Sequence, residues 1–135
     1  ILAAAEAVGI SWAALEMAVE YAKVREQFGR TIGTFQAVKH HAANMLVAAE
    51  LTTAAAWDAA RADDLDDAWF GAAVAATQAM HSQVFNAENN IQLHGGIGMT
   101  WELPLSHYAK RLVMVDHQFG DEDHHLVRFI ELGRS

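Results

Sequence analysis

Apolar residues recur at helical spacing along most of the chain. Val8, Trp12, Leu15 and Val19 fall at intervals of four, three and four, which sets them on one face of a helix predicted over about 2–25. Gly9 interrupts that helix, where glycine costs roughly 1 kcal/mol relative to alanine, so close packing is expected there. The stretch 27–33, with two glycines and Thr31, reads as a loop. Thr34 is the expected N-cap of a second helix that carries Phe35, Val38, Met45, Leu46 and Trp57 to about Ala62. The acidic run Asp63, Asp64, Asp66 and Asp67 marks the next turn, and its later members suit a helix N-terminus, where the dipole favours negative charge. A third helix is predicted from Trp69 to about Leu93, with Met80, Val84, Ala87 and Ile91 as its apolar stripe and Gly95, Gly96 and Gly98 ending it. Pro104 fits the first position of a fourth helix reaching Val115. A short fifth begins at Asp121 and covers Leu126, Phe129, Ile130 and Leu132.

At the standard rise, helices of about 25 residues are about 37 Å long. No segment alternates with period two for long enough to build a sheet. The predicted fold is therefore all-α: an up-and-down four-helix bundle with a short additional C-terminal helix, one domain over residues 1–135. The chain opens within a helical pattern, on Ile1 and without an initiator methionine, so a fragment of a longer polypeptide is expected.

Composition narrows the function. A hydrophobic share of 53%, much of it alanine, and a single proline agree with long helices. The net charge of −8 argues against general nucleic-acid binding, which needs a basic face to displace counterions. It leaves room for one pyrophosphate held by a local cluster of donors. With no cysteine there is neither a disulfide nor a thiolate metal site, and a reducing compartment is compatible. No basic leader stands between Ile1 and Glu6, and Glu16, Glu20, Asp58 and Arg61 break the alanine runs. No membrane span is expected, and the expected location is cytoplasmic.

Two segments carry chemistry. Val24-Arg-Glu-Gln-Phe-Gly-Arg30 is a basic, glycine-containing helix end. Arg25 and Arg30 there either complement the dipole of a helix C-terminus or offer planar paired donors to phosphate oxygens. Gln92-Leu-His-Gly-Gly-Ile-Gly98 closes the third helix. One glycine would cap it; Gly95, Gly96 and Gly98 together imply a tight turn or a backbone approached by a ligand or neighbouring subunit. The segment is not the dinucleotide fingerprint, which needs a strand before it and a helix after it. The adjacent pairs His40–His41 and His124–His125 lack the four-residue spacing of a helical metal site, so no metal is expected. The tryptophans at 12, 57, 69 and 101 read as core or interface anchors.

In order along the chain, Tyr21-Ala-Lys-Val-Arg-Glu-Gln-Phe-Gly-Arg-Thr-Ile-Gly-Thr-Phe-Gln-Ala-Val-Lys-His40 and Ile91-Gln-Leu-His-Gly-Gly-Ile-Gly-Met-Thr-Trp-Glu102 resemble two segments of the acyl-CoA dehydrogenases, the second matching their Gln-x-x-Gly-Gly-x-Gly pattern. The resemblance covers essentially the whole chain and identifies it with the family's C-terminal helical bundle. It implies FAD as cofactor, an acyl-CoA thioester oxidised across its α,β bond, as in fatty acid or steroid side-chain β-oxidation, and a homo- or hetero-oligomer, dimer or tetramer, in which this domain lends residues to a neighbour's flavin. Carried over, Arg25 would contact the pyrophosphate, Phe28 would pack in the flavin region, and Gln36, Gln92 and Gly96 would face the dinucleotide, with Gly95 allowing its approach. Gln27 stands where several relatives have threonine.

The proton acceptor departs from the pattern. Many relatives carry a glutamate before a glycine in the loop preceding the terminal helix; here Phe119 occupies that position. Asp116, Asp121 and Glu122 are close by, but Asp121 is better read as an N-cap, with Glu122 and Asp123 favourable in the first turn. Proton abstraction needs a positioned acceptor. Three readings stay open: a base in a preceding part of the polypeptide, a base on a partner subunit, or a full-length protein that does not dehydrogenate. The rival to an enzyme subunit is a non-catalytic helical assembly subunit or scaffold, and the substrate is not fixed by this segment.

Overall fold

A computed structural model describes residues 1–103, 105, 107, 108, 110, 111, 114, 120 and 122–133. Helix α1 spans Leu2–Val24, α2 Gln36–Ala60 and α3 Leu65–His94, and a C-terminal helix covers Glu122–Leu132. Between α1 and α2 lie a hairpin of β1 (Glu26–Gln27) and β2 (Arg30–Thr31) and one 3₁₀ turn, Ile32–Thr34. A second 3₁₀ turn, Gly95–Met99, follows α3. Leu105, His107, Tyr108, Lys110, Arg111 and Met114 are helical, in the region predicted for a fourth helix. Pro104, Val115, Asp116, Phe119 and Asp121 lie outside the described residues.

Side-chain contacts give the direction of each helix. Tyr21 stacks on His94, and His41 bonds Asn89, so the end of α1, the start of α2 and the end of α3 share one end of the bundle. Glu6 pairs with Arg111 while Ile10 and Ala87 pack with Tyr108, so Tyr108 and Arg111 follow one another antiparallel to α1. The up-and-down arrangement is thus observed. The C-terminal helix lies on the first half of α3, where the Phe70 and Phe129 rings meet at 5.1 Å.

The packing seam differs from the predicted stripe. Ala4, Ala7, Ser11, Ala14, Ala18 and Ala22 are the buried line of α1, and of the large residues in its predicted stripe only Leu15 is buried, the other three being half-buried beside the seam. Alanine lets helix backbones approach, so side-chain size is traded for closeness. Along α3 the buried line is polar as well as apolar: Ser82, Gln83, Asn86, Asn90 and His94 join Ala79, Met80 and Ala87. Ser82 Oγ lies 2.9 Å from Ser11 Oγ, and Asn86 Nδ2 donates to the carbonyls of Ser11 and Met45, one on each neighbouring helix.

Other expectations also change. Phe35, not Thr34, precedes α2 as its N-cap, and Thr34 Oγ1 donates back to the Thr31 carbonyl. Helix α3 begins four residues earlier than Trp69, because Asp64 accepts from the Asp67 N–H and sets the cap. Gly9 meets no neighbour within 4 Å of an added Cβ, so its place in α1 is not explained by close packing. Of the tryptophans read as core or interface anchors, Trp57, Trp69 and Trp101 are exposed and so lie outside the core, and Leu46 is exposed as well. By length and composition α1 is apolar enough to cross a membrane, although no span was expected; here its small residues line the seam with α2 and α3.

Candidate functional site

The segment after α1 folds back at once. The Arg25 N–H bonds the Tyr21 carbonyl, and the Arg25 carbonyl accepts from Ile32 N–H at 2.8 Å. Strand pairing of Glu26 with Thr31 and of Gln27 with Arg30 leaves Phe28 and Gly29 as a two-residue turn. Their φ values are 54° and 74°. Two positive values in succession match the primed turn that suits strand twist, a turn that favours Asn-Gly. Glycine adopts it freely, but a phenylalanine there is strained, at a cost of about 1–2 kcal/mol. The Phe28 side chain recovers little of that by burial, being 92% exposed with one edge contact to Phe35. Arg30 is not at the helix end: it lies in β2 with its guanidinium 4.1 Å from the Phe35 ring centre. Gly33 presses against α1, where an added Cβ would sit 2.9 Å from the Ala22 carbonyl oxygen, so glycine is required for the approach.

The other segment ends α3. Gly95, at φ 64°, sends its N–H to the carbonyls of Gln92 and Ile91 and turns the chain away from the helix. Gly98 folds beneath it: a Cβ there would lie 2.8 Å from the Ile91 carbonyl oxygen. Among the described residues, no atom lies within 4 Å of a Cβ built on Gly95 or Gly96. The three glycines therefore divide into one demanded by packing, one by backbone conformation, and one, Gly96, that the fold itself does not require.

Arg25, Phe28, Gln36, Gln92, Gly95 and Gly96 are all exposed, and the helix directions bring all six to the same end of the bundle. Among the described residues, no hydrogen bond joins the side chains of Arg25, Gln36 and Gln92 to one another. Gln36 Nε2 has only a long, 3.5 Å approach to His40 Nε2. The end of the molecule thus presents the Arg25 guanidinium, with that of Arg30 on the adjoining strand, two amides, an aromatic ring and uncovered backbone, a donor set suited to an anionic ligand rich in acceptors. Phe119, assigned to the usual glutamate position, lies outside the described residues.

Motif reading passed over Tyr21 and His94, which lie inside the two quoted segments. Their rings stack at 4.2 Å with a 25° tilt, and His94 Nδ1 donates to the Asn90 carbonyl at 2.8 Å. Nothing local marks this pair, because its members meet only through the packing of α1 on α3.

Comparison with known proteins identifies the family. Residues 1–126 match the model of the acyl-CoA dehydrogenase C-terminal domain. The acyl-CoA dehydrogenase FadE34 of Mycobacterium tuberculosis is 50% identical over 111 residues, which are 80% of this chain and 16% of that protein. A variant of the Tcur3481-Tcur3483 steroid ACAD superposes with a TM-score of 0.88 at 32% identity, covering 96% of this chain and 36% of that one. PigA, in a structure of its FAD complex, superposes with a TM-score of 0.82 at 28% identity, covering 96% of this chain and 34% of that one. The chain thus spans about a third or less of the length of these relatives. Its sequence motifs, its helical topology and these similarities together place it in the acyl-CoA dehydrogenase family, as a C-terminal domain of that family.

Proposed function

We propose that this domain forms part of an FAD-dependent acyl-CoA dehydrogenase, in which it contacts the flavin dinucleotide across a subunit interface of a homo- or hetero-oligomer. The observation that carries the reading is Phe28, an aromatic ring held at φ 54° and exposed to solvent one turn from Arg25. Strain of that kind persists where the side chain has work outside its own fold. The neighbouring groups fit the cofactor: Arg25 for the pyrophosphate, Gln36 and Gln92 for the acceptors of the dinucleotide, and Gly95 and Gly96 for close backbone approach. PigA, a fold neighbour, is known in an FAD complex. When bound, FAD supplies the hydride acceptor, and the domain's own residues bind and orient it. The substrate class is an acyl-CoA thioester, the setting a fatty-acid or steroid side-chain oxidation in the cytoplasm, and the isolated domain is inactive and holds FAD poorly.

The test is Arg25→Ala in the full-length oligomer, read by flavin absorbance per subunit. Loss of flavin supports the assignment, and undiminished flavin at native assembly overturns it. A second reading, a non-catalytic assembly subunit or scaffold, is favoured by Phe119 at the family's glutamate position. Purified full-length protein discriminates: a yellow oligomer near one flavin per subunit supports the enzyme, and a colourless, correctly assembled one the scaffold.

A further inference from the structure

The two segments assigned to the dinucleotide are far apart in sequence and must be held in register to grip one ligand. At the bundle end, Tyr21 belongs to the last turn of α1 and its carbonyl receives the Arg25 N–H at 2.9 Å. The Tyr21 ring therefore sits one helical turn below the guanidinium-bearing residue. It stacks on His94, the last residue of α3, two positions after Gln92 and next to Gly95.

His94 is a poor candidate for direct ligand contact, since it is 7% exposed. It is well made as a platform. A carbonyl can only accept, so Nδ1 carries the proton in the bond to Asn90 and the ring plane is fixed from below. From the side, Gly98 folds back with room for no Cβ: one there would lie 3.1 Å from His94 Cβ. The imidazole, oriented by its bond to Asn90, stacks one face on the Tyr21 ring. Stacked rings of this kind contribute beyond the area they bury.

We propose that Tyr21 and His94 are positioning residues, a stacked clamp that fixes Arg25 relative to the Gln92–Gly96 backbone so that both engage one dinucleotide. The proposal rests on the flavin reading above, and its test separates the two. The FAD dissociation constant is measured by titrating FAD into full-length apoenzyme for Arg25→Ala, Tyr21→Ala, Tyr21→Phe and the double variant Tyr21→Ala/Arg25→Ala, with thermal unfolding followed in parallel.

A positioning role requires Tyr21→Ala to weaken FAD about tenfold, Tyr21→Phe to bind as the parent does, and Arg25→Ala to add clearly less in the Tyr21→Ala background than alone. A side chain that merely stabilises the fold would leave the two effects multiplicative. Should Tyr21→Ala fail to assemble, Tyr21→Leu replaces it, keeping bulk while removing the aromatic face. If Arg25→Ala weakens FAD but the Tyr21 effect is nil or multiplicative, the clamp is overturned and the flavin reading stands. If Arg25→Ala leaves FAD unaffected, the flavin reading falls and the clamp falls with it.

Discussion

The Asn86 amide donates to the Met45 carbonyl of α2 at 3.1 Å, and its second proton goes to the Ser11 carbonyl of α1 at the same distance. One side chain on α3 thereby ties all three long helices at the level of the Ser11–Ser82 hydroxyl pair. In an alanine seam, where small residues give little shape information, such a polar staple specifies how far each helix is advanced along its neighbours. Net hydrogen bonds are each about 1 kcal/mol, so Asn86→Ala should lower unfolding stability by about 2 kcal/mol with a small cavity contribution added. Urea unfolding of the purified protein measures it, and a loss under about 0.5 kcal/mol would deny the staple its role.

One turn further along α3, Asn90 gives the opposite expectation. It is 1% exposed, and among the described residues neither atom of its amide group has a hydrogen-bond partner. The bond to His94 uses its backbone carbonyl, which any residue supplies. A buried amide without partners costs about 1–3 kcal/mol, and an apolar residue of similar size avoids that. Asn90→Leu should therefore unfold at the same or higher urea concentration than the parent. A clear fall in the midpoint would mean that the amide is satisfied in solution.

Much of this fold was legible from spacing, and the misreadings share a cause. The end of α3 followed from glycine punctuation at Gly95, whereas its start, capped by Asp64, lies four residues before the predicted Trp69. The buried face of α1 did not, because periodicity was weighed by the large residues Val8, Trp12 and Val19, whereas tight helix contact selects Ala7, Ala14 and Ala18. Trp57, read as a core or interface anchor, is exposed, as is Leu46 on the same helix, since apolar pattern does not say which neighbour covers a face. The candidate site residues Arg25, Phe28, Gln36, Gln92, Gly95 and Gly96 were assigned through motif resemblance, and the fold brings them to one end of the bundle. The strain at Phe28 and the stack of Tyr21 on His94 required three dimensions: the first is a backbone angle, the second a long-range contact.

Glu6 and Arg111 make a two-bonded pair, at 2.5 and 2.9 Å, that ties α1 to the 105–114 segment. The hydrogen bond from Arg111, helped by its charge, holds the Glu6 carboxyl below its ordinary 4.5, against a smaller opposing effect of burial. A group whose folded pKa is depressed stabilises the fold above its unfolded pKa and loses that contribution as pH falls through the folded value. Parent protein should therefore lose stability below about pH 4.5 more steeply than Glu6→Gln, and the two curves should converge in acid. Both side chains are more than a third exposed, so the difference should shrink in high salt. Parallel acid titrations of unfolding midpoint at two ionic strengths test this, and identical slopes for parent and variant would refute it.

The glycines of the α3 terminus predict a separation of stability from binding. Gly98→Ala sets a Cβ 2.8 Å from a backbone oxygen that cannot step aside, and overpacking of that kind costs about 1–3 kcal/mol. Gly96→Ala meets nothing within 4 Å and has no positive φ to strain it. Thermal unfolding should fall for the first and stay within a degree or two of the parent for the second. On the flavin reading, Gly96→Ala in the full-length enzyme should nonetheless weaken FAD, because the methyl group occupies space the dinucleotide needs. Native affinity at Gly96→Ala would remove that residue from the site.

Phe28 offers the sharpest case, because fold and function should pull in opposite directions. The left-handed turn position it occupies is tolerated by asparagine far better than by an aromatic residue. With 92% of Phe28 in solvent, little packing is lost on replacement, although its edge contact with Phe35 goes. Phe28→Asn should therefore leave the domain as stable or stabilise it by up to about 1 kcal/mol. In the full-length enzyme the same change should release flavin, since the ring is assigned to pack in the flavin region. A variant that is both more stable and fully loaded with flavin would show that the strain serves something else, and a variant that is less stable would show that the ring is held by contacts within its own chain.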